Sequence, residues 1–291
     1  MAQTITFLFP CSYESRKSVD ESYAAEFEAV SSIPKFRTAL YNHDKLITDP
    51  EYHIKLYPDL KPGLCIGRTW MMKPEEYARF HFDISVAGGQ VVNSVLEYNQ
   101  LHLFPNIYPL LQGRTPKTLW YDNPWAINAE VVNREFSCFI MKDYVKSVKG
   151  FDFPAHFDTP ITQDALDAHI ARFIDFRQPL FTGGIVLKEY VDLKKYGGMT
   201  NEYRVFYLFN KTLTINRNSN QPEFCPFVPM ELVECFAGLP SKYYTVDFGE
   251  LEDGSFIVLE TGDGQVSGMS PDQCIGEYYN EMLRIILENI E

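Results

Sequence analysis

Short apolar runs alternate with segments of helical spacing over the first third of the chain. Apolar residues recur at helical spacing over residues 19–30, and Pro74 fits the first turn of a helix that runs through residue 80. Ser94 and Glu97 have the spacing of a capping box, which marks a helix N-terminus. This alternation predicts a small, partly parallel α/β domain. The apolar runs that we expect to form its strands are residues 4–9, 64–66 and 90–92.

The pattern changes after residues 101–135, a segment rich in Pro, Trp and Tyr that we expect to join two parts of the protein. Residues 162–176 predict a helix, and Ser270 predicts the cap of a final helix that ends at residue 290. Several strands around few helices favour an α+β second part. The strands that we expect there are residues 136–142, 184–191, 202–209, 243–248 and 256–261.

Composition limits the classes of function. Of 291 residues, 26 are Lys or Arg and 39 are Asp or Glu, which gives a net charge of −13. Such a surface repels phosphate backbones and argues against a nucleic-acid partner. No apolar run approaches the ~20 residues that span a bilayer, so we expect a cytoplasmic protein without a membrane partner. The six cysteines lack zinc-ligand spacing and predict buried, reduced thiols.

One predicted hairpin brings two carboxylates together. Asp253-Gly254 lies between two β-rich runs, and this dipeptide is typical of a two-residue turn. Such a turn places Asp247 directly opposite Glu260. Like charges so placed are unfavourable unless a proton or a cation lies between them, and Mg²⁺ suits hard carboxylates. The alternative is that one carboxylate points to solvent or pairs with a nearby Lys or Arg.

Cationic side chains belong to two other predicted strands. Lys142 ends one of them and begins a basic loop over residues 142–150, whose amides and lysines suit phosphate oxygens. The alternative for this loop is a solvated basic segment. Arg204 lies at the centre of a strand and needs an anionic partner. In a purely structural reading, Glu202 or Glu189 is that partner.

The order of these motifs resembles the ATP-grasp superfamily, and the similarity runs across nearly the whole chain. More closely, the chain is similar to the divergent clade named for one arginine and two lysines, and within it to a small bacterial and phage branch. That clade includes a eukaryotic protein that assists the assembly of a translation initiation factor. The motifs, in chain order, are Lys142 with its loop, Leu187-Lys-Glu-Tyr-Val191, Glu202-Tyr-Arg-Val-Phe206, Val246-Asp-Phe248 and Val258-Leu-Glu260.

The resemblance implies an α+β ATP-grasp fold with ATP as a ligand. A small α/β pre-ATP-grasp domain would span residues 1–115, and the ATP-grasp domain would span residues 116–291. Within the latter, residues 116–192 would form the first subdomain with the phosphate loop and the hinge. Residues 193–291 would form the second subdomain with the metal site.

The resemblance also implies which side chains bind the phosphates. By matching position, Lys117 and Lys142 contact ATP phosphates. Lys146 and Ser147 belong to a flexible loop that covers the phosphates.

Catalytic and adenine-binding roles follow from the same resemblance. Arg204 would contact the γ-phosphate, or an acyl-phosphate formed from it. Lys188 stands where some relatives carry an arginine, and we assign it both to ATP binding and to catalysis. Glu189, Tyr190 and Val191 would form the hinge whose backbone binds adenine.

The metal site implied by the resemblance departs from the superfamily at one position. Asp247 and Glu260 would hold Mg²⁺. Many members place an asparagine two residues after the last glutamate, where this chain has Gly262. Either Asp263 substitutes as a ligand, or one metal ion is bound more weakly.

Two functions of different classes remain open at this point. The first is an ADP-forming ligase that activates a carboxylate as an acyl-phosphate and joins it to an amine or a similar nucleophile, with a peptide or protein among the candidate acceptors. The second is an ATP-binding assembly factor that makes no covalent product. A nucleic-acid-end ligase is disfavoured, because the chain is acidic and Tyr144 follows Lys142-Asp143 where a Lys-x-Asp-Gly motif needs glycine.

A candidate acceptor pocket involves three residues of the N-terminal domain. Arg68, Trp70 and Asp20 combine a cation, an aromatic surface and an anion that would suit a polar substrate. The alternative is a structural salt bridge with tryptophan packing.

Overall fold

The computed structural model describes residues 4–148 and 153–290. The N-terminal part contains β1 (Thr4–Pro10), α1 (Ala24–Ser31), β2 (Phe36–Tyr41), α2 (His43–Thr48), β3 (Gly63–Gly67), α3 (Pro74–Val86), β4 (Gly89–Val91), α4 (Val95–His102) and α5 (Phe104–Leu111). Its strands form a parallel sheet in the order β2-β1-β3-β4. The predicted α/β arrangement is therefore confirmed.

The middle part builds an antiparallel sheet. It contains β5 (Thr118–Tyr121), α6 (Ala129–Glu135), β6 (Cys138–Asp143), β7 (Phe157–Asp158), α7 (Gln163–Arg177) and β8 (Ile185–Glu189). The strand order is β5-β8-β6-β7. Helix α7 begins at the capping side chain of Thr162 and buries Leu166, Ile170 and Phe173, as its helical spacing predicts.

The C-terminal part builds a second antiparallel sheet. It contains β9 (Lys195–Tyr196), β10 (Met199–Thr200), β11 (Glu202–Leu208), β12 (Lys211–Arg217), α8 (Met230–Glu234), β13 (Tyr243–Glu250), β14 (Phe256–Asp263) and α9 (Ile275–Ile290). Strands β9 and β10 form a two-stranded sheet, and the larger sheet has the order β12-β11-β13-β14.

Apolar clusters join the N-terminal sheet to the C-terminal sheet. Phe7 of β1 packs edge-on against Tyr279 of α9, with ring centroids 5.3 Å apart, and Phe206 of β11 belongs to the same buried cluster. A second cluster packs Leu101 and Phe104, from α4 and α5, against the C-terminal sheet. The middle sheet has a separate core under α6 and α7. The middle and C-terminal sheets therefore flank a cleft, lined from both sides.

The segment over 101–135, which leads from the N-terminal part to the middle part, contains α5, β5 and α6. Two boundary predictions were wrong in detail. The predicted helix over 19–30 is a 3-10 turn, Glu21–Tyr23, followed by α1. Ser270 does not cap the final helix: its backbone N–H donates to Gln273 Oε1 at 3.2 Å, but that helix begins later, at Ile275. The capping box of Ser94 and Glu97 is confirmed at α4.

The cysteines only partly fit their prediction. All six are free; Cys11, Cys65 and Cys225 are buried, whereas Cys235 and Cys274 are exposed and Cys138 is intermediate. Among the described helices, none combines the length and the apolar character needed to cross a bilayer.

The hairpin between β13 and β14 reaches the predicted pairing by another route. Asp247 does lie opposite Glu260. The turn, however, is closed by Leu251 and Ser255, whose N–H and C=O bond at 2.8 Å, so it is longer than two residues. A β-bulge between Asp247 and Phe248 then shifts the register by one residue. The extra residue, Leu259, offers its carbonyl oxygen to the middle sheet.

Candidate active site

A row of charged side chains crosses the C-terminal sheet. Arg204 of β11 pairs with Asp247 of β13, and Asp247 pairs with Glu260 of β14. Arg204 donates from Nε and Nη2 to both oxygens of Asp247, at 2.8 and 2.7 Å. The anionic partner of Arg204 is thus Asp247, rather than the Glu202 or Glu189 of the structural reading. Burial alone would lower the pKa of Arg204, but the charge of Asp247 outweighs it and raises that pKa.

Two lysines reach this row from the middle sheet. Lys142 Nζ donates to Glu260 Oε1 at 2.8 Å, and Lys188 Nζ donates to the bulge carbonyl of Leu259 at 2.6 Å. Both ammonium groups lie over the ring of Phe104, at 5.4 and 4.2 Å from its centroid. Lysine contacts therefore hold the two sheets together across the cleft.

Burial and neighbouring charges both shift the pKa values of these groups. Burial lowers the pKa of Lys188 far below its ordinary value, and the charge of Lys142 lowers it further. Burial alone would raise the pKa of Glu260, but Lys142 and Lys146 outweigh it and hold that pKa well below the usual range. The site therefore keeps Glu260 ionised and crowds positive charge beside it.

A tight turn after Lys142 directs the next lysine into the cleft. The backbone N–H groups of Val145 and Lys146 donate to Asp143 Oδ1, at 2.7 and 2.6 Å. Arg177 holds the other oxygen of Asp143 at 2.9 Å. Sequence reasoning missed Asp143, although an aspartate at the start of a loop is typical of such a turn. Ser147 bridges back to Lys142; the loop's last two residues, 149 and 150, lie outside the described residues.

Two cavities meet at this cluster. The larger, about 960 Å³, lies between the middle and C-terminal sheets, and the smaller, about 420 Å³, lies between the N-terminal and C-terminal parts. Glu189, Tyr190 and Val191 line the larger cavity, as do Lys188 and Ser147. The side chains that line both cavities are Lys146, Arg204, Asp247 and Glu260, and we call these four residues the junction.

The junction contains oxygen donors that suit a hard cation. The carboxylates of Asp247 and Glu260 are cross-strand neighbours, and Thr245 and Ser267 add hydroxyl groups to the smaller cavity. A Cβ at Gly262 would lie 2.9 Å from Ser267 Oγ and 3.2 Å from Thr245 Oγ1. The hydroxyl pair therefore fills the space that a side chain at position 262 would need. This donor set is of the kind that Mg²⁺ takes.

Asp263 does not reach the junction. It is fully buried, and its carboxylate accepts hydrogen bonds from Asn93 and from Gln265 N and Nε2. Because side chains alternate along a strand, Asp263 lies on the opposite face of β14 from Glu260. The structure thus separates Asp263 from the other two candidate metal ligands.

Lys117 also lies away from the cleft. Its ammonium group contacts Glu135 and the carbonyl of that residue, and it stands 5.8 Å from the centroid of Phe136. Its backbone, by contrast, pairs with the hinge, since Glu189 N–H donates to Lys117 O at 2.8 Å. We therefore leave the Lys117 side chain out of the phosphate site.

Two of the three candidate acceptor residues, Arg68 and Trp70, line the smaller cavity, and Asp20 contacts Trp70. Trp70 donates from Nε1 to Asp20 at 3.1 Å. The guanidinium of Arg68 is saturated: it donates to both oxygens of Glu26, at 2.7 and 3.1 Å, and to the carbonyl of Gly264 at 2.6 Å. Arg68 thus forms a structural ion pair with Glu26 at the cavity wall, while Trp70 presents a half-exposed aromatic surface to the cavity.

His102 is a buried residue on the wall of the smaller cavity. It is the last residue of α4, and its ring lies 4.7 Å from that of Tyr98. Burial, together with the charge of Lys146, lowers the pKa of His102 to about 3. The imidazole is therefore neutral beside the junction at neutral pH.

Two α+β sheets that clasp a cationic cleft, behind an N-terminal α/β sheet, define an ATP-grasp protein. The family model that matches residues 124–282 describes an ATP-grasp domain, the third family of the clade named for one arginine and two lysines. The chain belongs to this family. None of the curated proteins matches the sequence.

Solved structures share this fold over nearly their whole length. A RimK domain ATP-grasp protein from Sphaerobacter thermophilus DSM 20745 is 16% identical, with a TM-score of 0.62 over 97% of this chain and 99% of that chain. D-alanine–D-alanine ligase from Bacillus anthracis is 14% identical, with a TM-score of 0.60 over 99% and 98%. The ATP-grasp ligase PsnB, complexed with precursor peptide PsnA2 and AMPPNP, is 13% identical, with a TM-score of 0.57 over 97% of each chain.

Proposed function

We propose that the protein is an ATP- and Mg²⁺-dependent ligase that forms an acyl-phosphate and joins the activated acyl group to an amine or a similar nucleophile. The observation that carries the proposal is the junction. A nucleotide-sized cavity and a second, smaller cavity open onto the same four charged side chains. A phosphoryl group at the end of one cavity would thus face a substrate in the other, which is what transfer between two ligands requires.

The nucleotide would occupy the larger cavity. The backbone of Glu189–Val191 would bind adenine, and Lys142, Lys146 and Lys188 would hold the phosphates, with Ser147 in the covering loop. Lys188 is almost fully buried and lacks a carboxylate in hydrogen-bond contact among the described residues, so a phosphate would supply the counter-charge that burial denies it.

In the proposed reaction, the reacting groups would lie at the junction. A carboxylate oxygen of the substrate attacks the γ-phosphorus, the bond to the β–γ bridging oxygen breaks, and ADP leaves. The nucleophile then attacks the acyl carbon, and inorganic phosphate leaves. Arg204 would neutralise the charge that develops on the transferred group. No nucleophilic side chain of the protein is needed for these two steps.

Asp247 and Glu260 would hold Mg²⁺, with Asp263 left out because it is committed to Asn93 and Gln265. When bound, Mg²⁺ supplies charge neutralisation along the phosphate chain. In the structure, Arg204 and Lys142 occupy these two carboxylates. With Asp247 and Glu260 engaged as metal ligands, Arg204 and Lys142 would be available to contact the phosphates.

A peptide or protein is the substrate class that we propose to test first. The solved structure of the ATP-grasp ligase PsnB contains a precursor peptide. The half-exposed Trp70 on the wall of the smaller cavity would pack against a peptide group or side chain.

The first test is ADP production, with a peptide mixture as acceptor and mass spectrometry of the product. Glu260→Gln and Arg204→Ala should each lower turnover by at least ~10²-fold, because Glu260 would hold Mg²⁺ and Arg204 would neutralise the transferring charge. Glu252→Gln and Arg284→Ala are matched controls on exposed surface and should leave turnover unchanged. Near-normal ADP production by both junction variants would refute the assignment.

The assembly-factor alternative gives a different result in the same assay. Such a protein would bind ATP but release no ADP in response to an acceptor, and it would leave every acceptor mass unchanged. Crystals soaked with a nonhydrolysable ATP analogue and Mg²⁺ would test the nucleotide site separately from turnover.

A further inference from the structure

A second group of potential metal ligands lies at the far end of the middle sheet. Cys138, His156 and Asp158 each offer one ligand atom, and these atoms all lie within 4.8 Å of one another. Within residues 4–148 and 153–290, this is the one group of three such side chains. The group shares no residue with the junction.

The backbone explains why these three residues meet. Cys138 begins β6 and pairs directly with Asp158 of β7, so the two side chains point to the same face of the sheet. His156 lies in the bend that leads into β7, and its ring reaches the same group. The sequence shows no zinc-ligand spacing because β6 and β7 bring Cys138 and His156 together from positions far apart in the chain.

The chemistry of the group is specific. A thiol, an imidazole and a carboxylate form a mixed sulfur, nitrogen and oxygen set, which suits Zn²⁺ and other borderline ions and is foreign to Mg²⁺ sites. Three protein ligands leave a fourth position for water or a further ligand. Asp192 adds a second negative charge near the thiol: burial raises the pKa of Cys138, and a hydrogen bond to Asp158 and the charges of Asp158 and Asp192 raise it further.

The three ligand atoms would need to move only a short distance to bind one ion. Zinc bonds of about 2.0–2.3 Å require ligand atoms to draw closer than the outer separation seen here. His156 and Asp158 are exposed, so their side chains are free to rotate, while Cys138 is held in β6.

The group is contiguous with the hinge. Tyr190 N–H donates to Cys138 O at 3.0 Å, and the ring of Tyr190 lies 4.5 Å from that of His156. Cys138 has the same strand parity as Lys142, which lines the larger cavity. An ion on these ligands would therefore fix His156 against the strand end that carries the hinge.

We propose that Cys138, His156 and Asp158 form a binding site for one Zn²⁺ ion, separate from the Mg²⁺ site and next to the hinge. This site is independent of the proposed ligase activity, since it needs neither nucleotide nor acceptor.

The test uses metal alone, on the full chain without nucleotide and with excess Mg²⁺ present. Calorimetric titration of Zn²⁺ measures affinity and stoichiometry, and Co²⁺ as a probe reports a thiolate ligand through its sulfur-to-metal absorption band. Cys138→Ser and His156→Ala are the site variants. Cys274→Ser, at an exposed thiol, and His53→Ala, at an exposed imidazole, are the matched controls.

The proposal expects one Zn²⁺ per chain, a thiolate band with Co²⁺, and at least tenfold weaker Zn²⁺ binding in both site variants but in neither control. Circular dichroism of each variant establishes that it has folded. Absence of the thiolate band in the wild type overturns the proposal. So does a Cys138→Ser variant that is folded and binds Zn²⁺ as tightly as the wild type.

Discussion

The buried carboxyl of Asp263 makes the stability of the fold depend on pH. Burial raises the pKa of Asp263 to about 7 from an ordinary value of 3.8, and hydrogen bonds from Asn93 and Gln265 offset burial only in part. The perturbation that isolates this group is Asp263→Asn, which keeps the shape of the side chain and removes the titration.

The sign follows from proton linkage. The folded protein holds the proton over a pH range in which the unfolded chain has released it, so the contribution of Asp263 to stability is full below about pH 3.8 and is lost as pH rises to about 7. The raised pKa corresponds to about 4 kcal/mol as an upper limit. The amide of Asp263→Asn replaces one acceptor by a donor, which adds a pH-independent cost of about 1–3 kcal/mol.

The assay is urea unfolding of both proteins at several pH values between about 4 and 8. The advantage of the wild type over Asp263→Asn should shrink by up to about 4 kcal/mol across this range. The difference between the two proteins cancels other titrating groups, such as His102, whose lowered pKa has the opposite effect on stability. Asp59→Asn, at an exposed aspartate, is the control, and its difference from the wild type in unfolding free energy should not change with pH. An equally flat difference for Asp263→Asn would refute the reasoning.

Further predictions concern the cleft and the acceptor cavity. Lys188→Met should raise the ATP Kd by about 10- to 100-fold in calorimetric titration, since it removes a charge-assisted contact to phosphate; Lys117→Met should leave that Kd unchanged, because its ammonium group is paired with Glu135. Trp70→Ala should raise the KM for the acceptor peptide about tenfold with no change in the ATP Kd, and an unchanged KM would remove Trp70 from the pocket. Arg68→Ala should cost about 3–5 kcal/mol in urea unfolding, because it leaves Glu26 buried without its cation.

The sequence correctly predicts that the two acidic residues pair across the hairpin, although it predicts the wrong turn. A two-residue turn at Asp253-Gly254 would place Asp247 opposite Glu260, and these residues do pair. The real turn is longer and the bulge shifts the register back, so two departures from the ideal hairpin cancel. Neither departure has a local signal, because a bulge depends on contacts with the middle sheet, where Lys188 bonds to Leu259.

Contacts between strands that lie far apart in the chain could not be predicted from the sequence. The pairing of Arg204 with Asp247 requires that β11 lie beside β13, and nothing in the residues between them fixes that order. The position of Asp263 was missed for a simpler reason. Asp263 follows Glu260 by three residues, so strand alternation places its side chain on the other face of β14. The family resemblance suggested Asp263 as a metal ligand without taking this alternation into account.

An acidic chain can still attract a nucleotide, because charge acts locally. The whole protein carries −13, but Debye screening confines the effect of exposed charges to about 8 Å at physiological ionic strength. Five cationic side chains and four carboxylates line the cleft, which leaves a small surplus of positive charge in a partly desolvated space. The cations are Lys142, Lys146, Arg177, Lys188 and Arg204, and the carboxylates are those of Glu189, Glu202, Asp247 and Glu260. The ion pairs of Arg204 with Asp247 and of Lys142 with Glu260 limit self-repulsion before a ligand binds, and Mg²⁺ with a triphosphate would replace those two pairs by new ones of the same kind. Binding would therefore exchange ion pairs rather than create isolated charges, which is the least costly way to handle charge in a buried site.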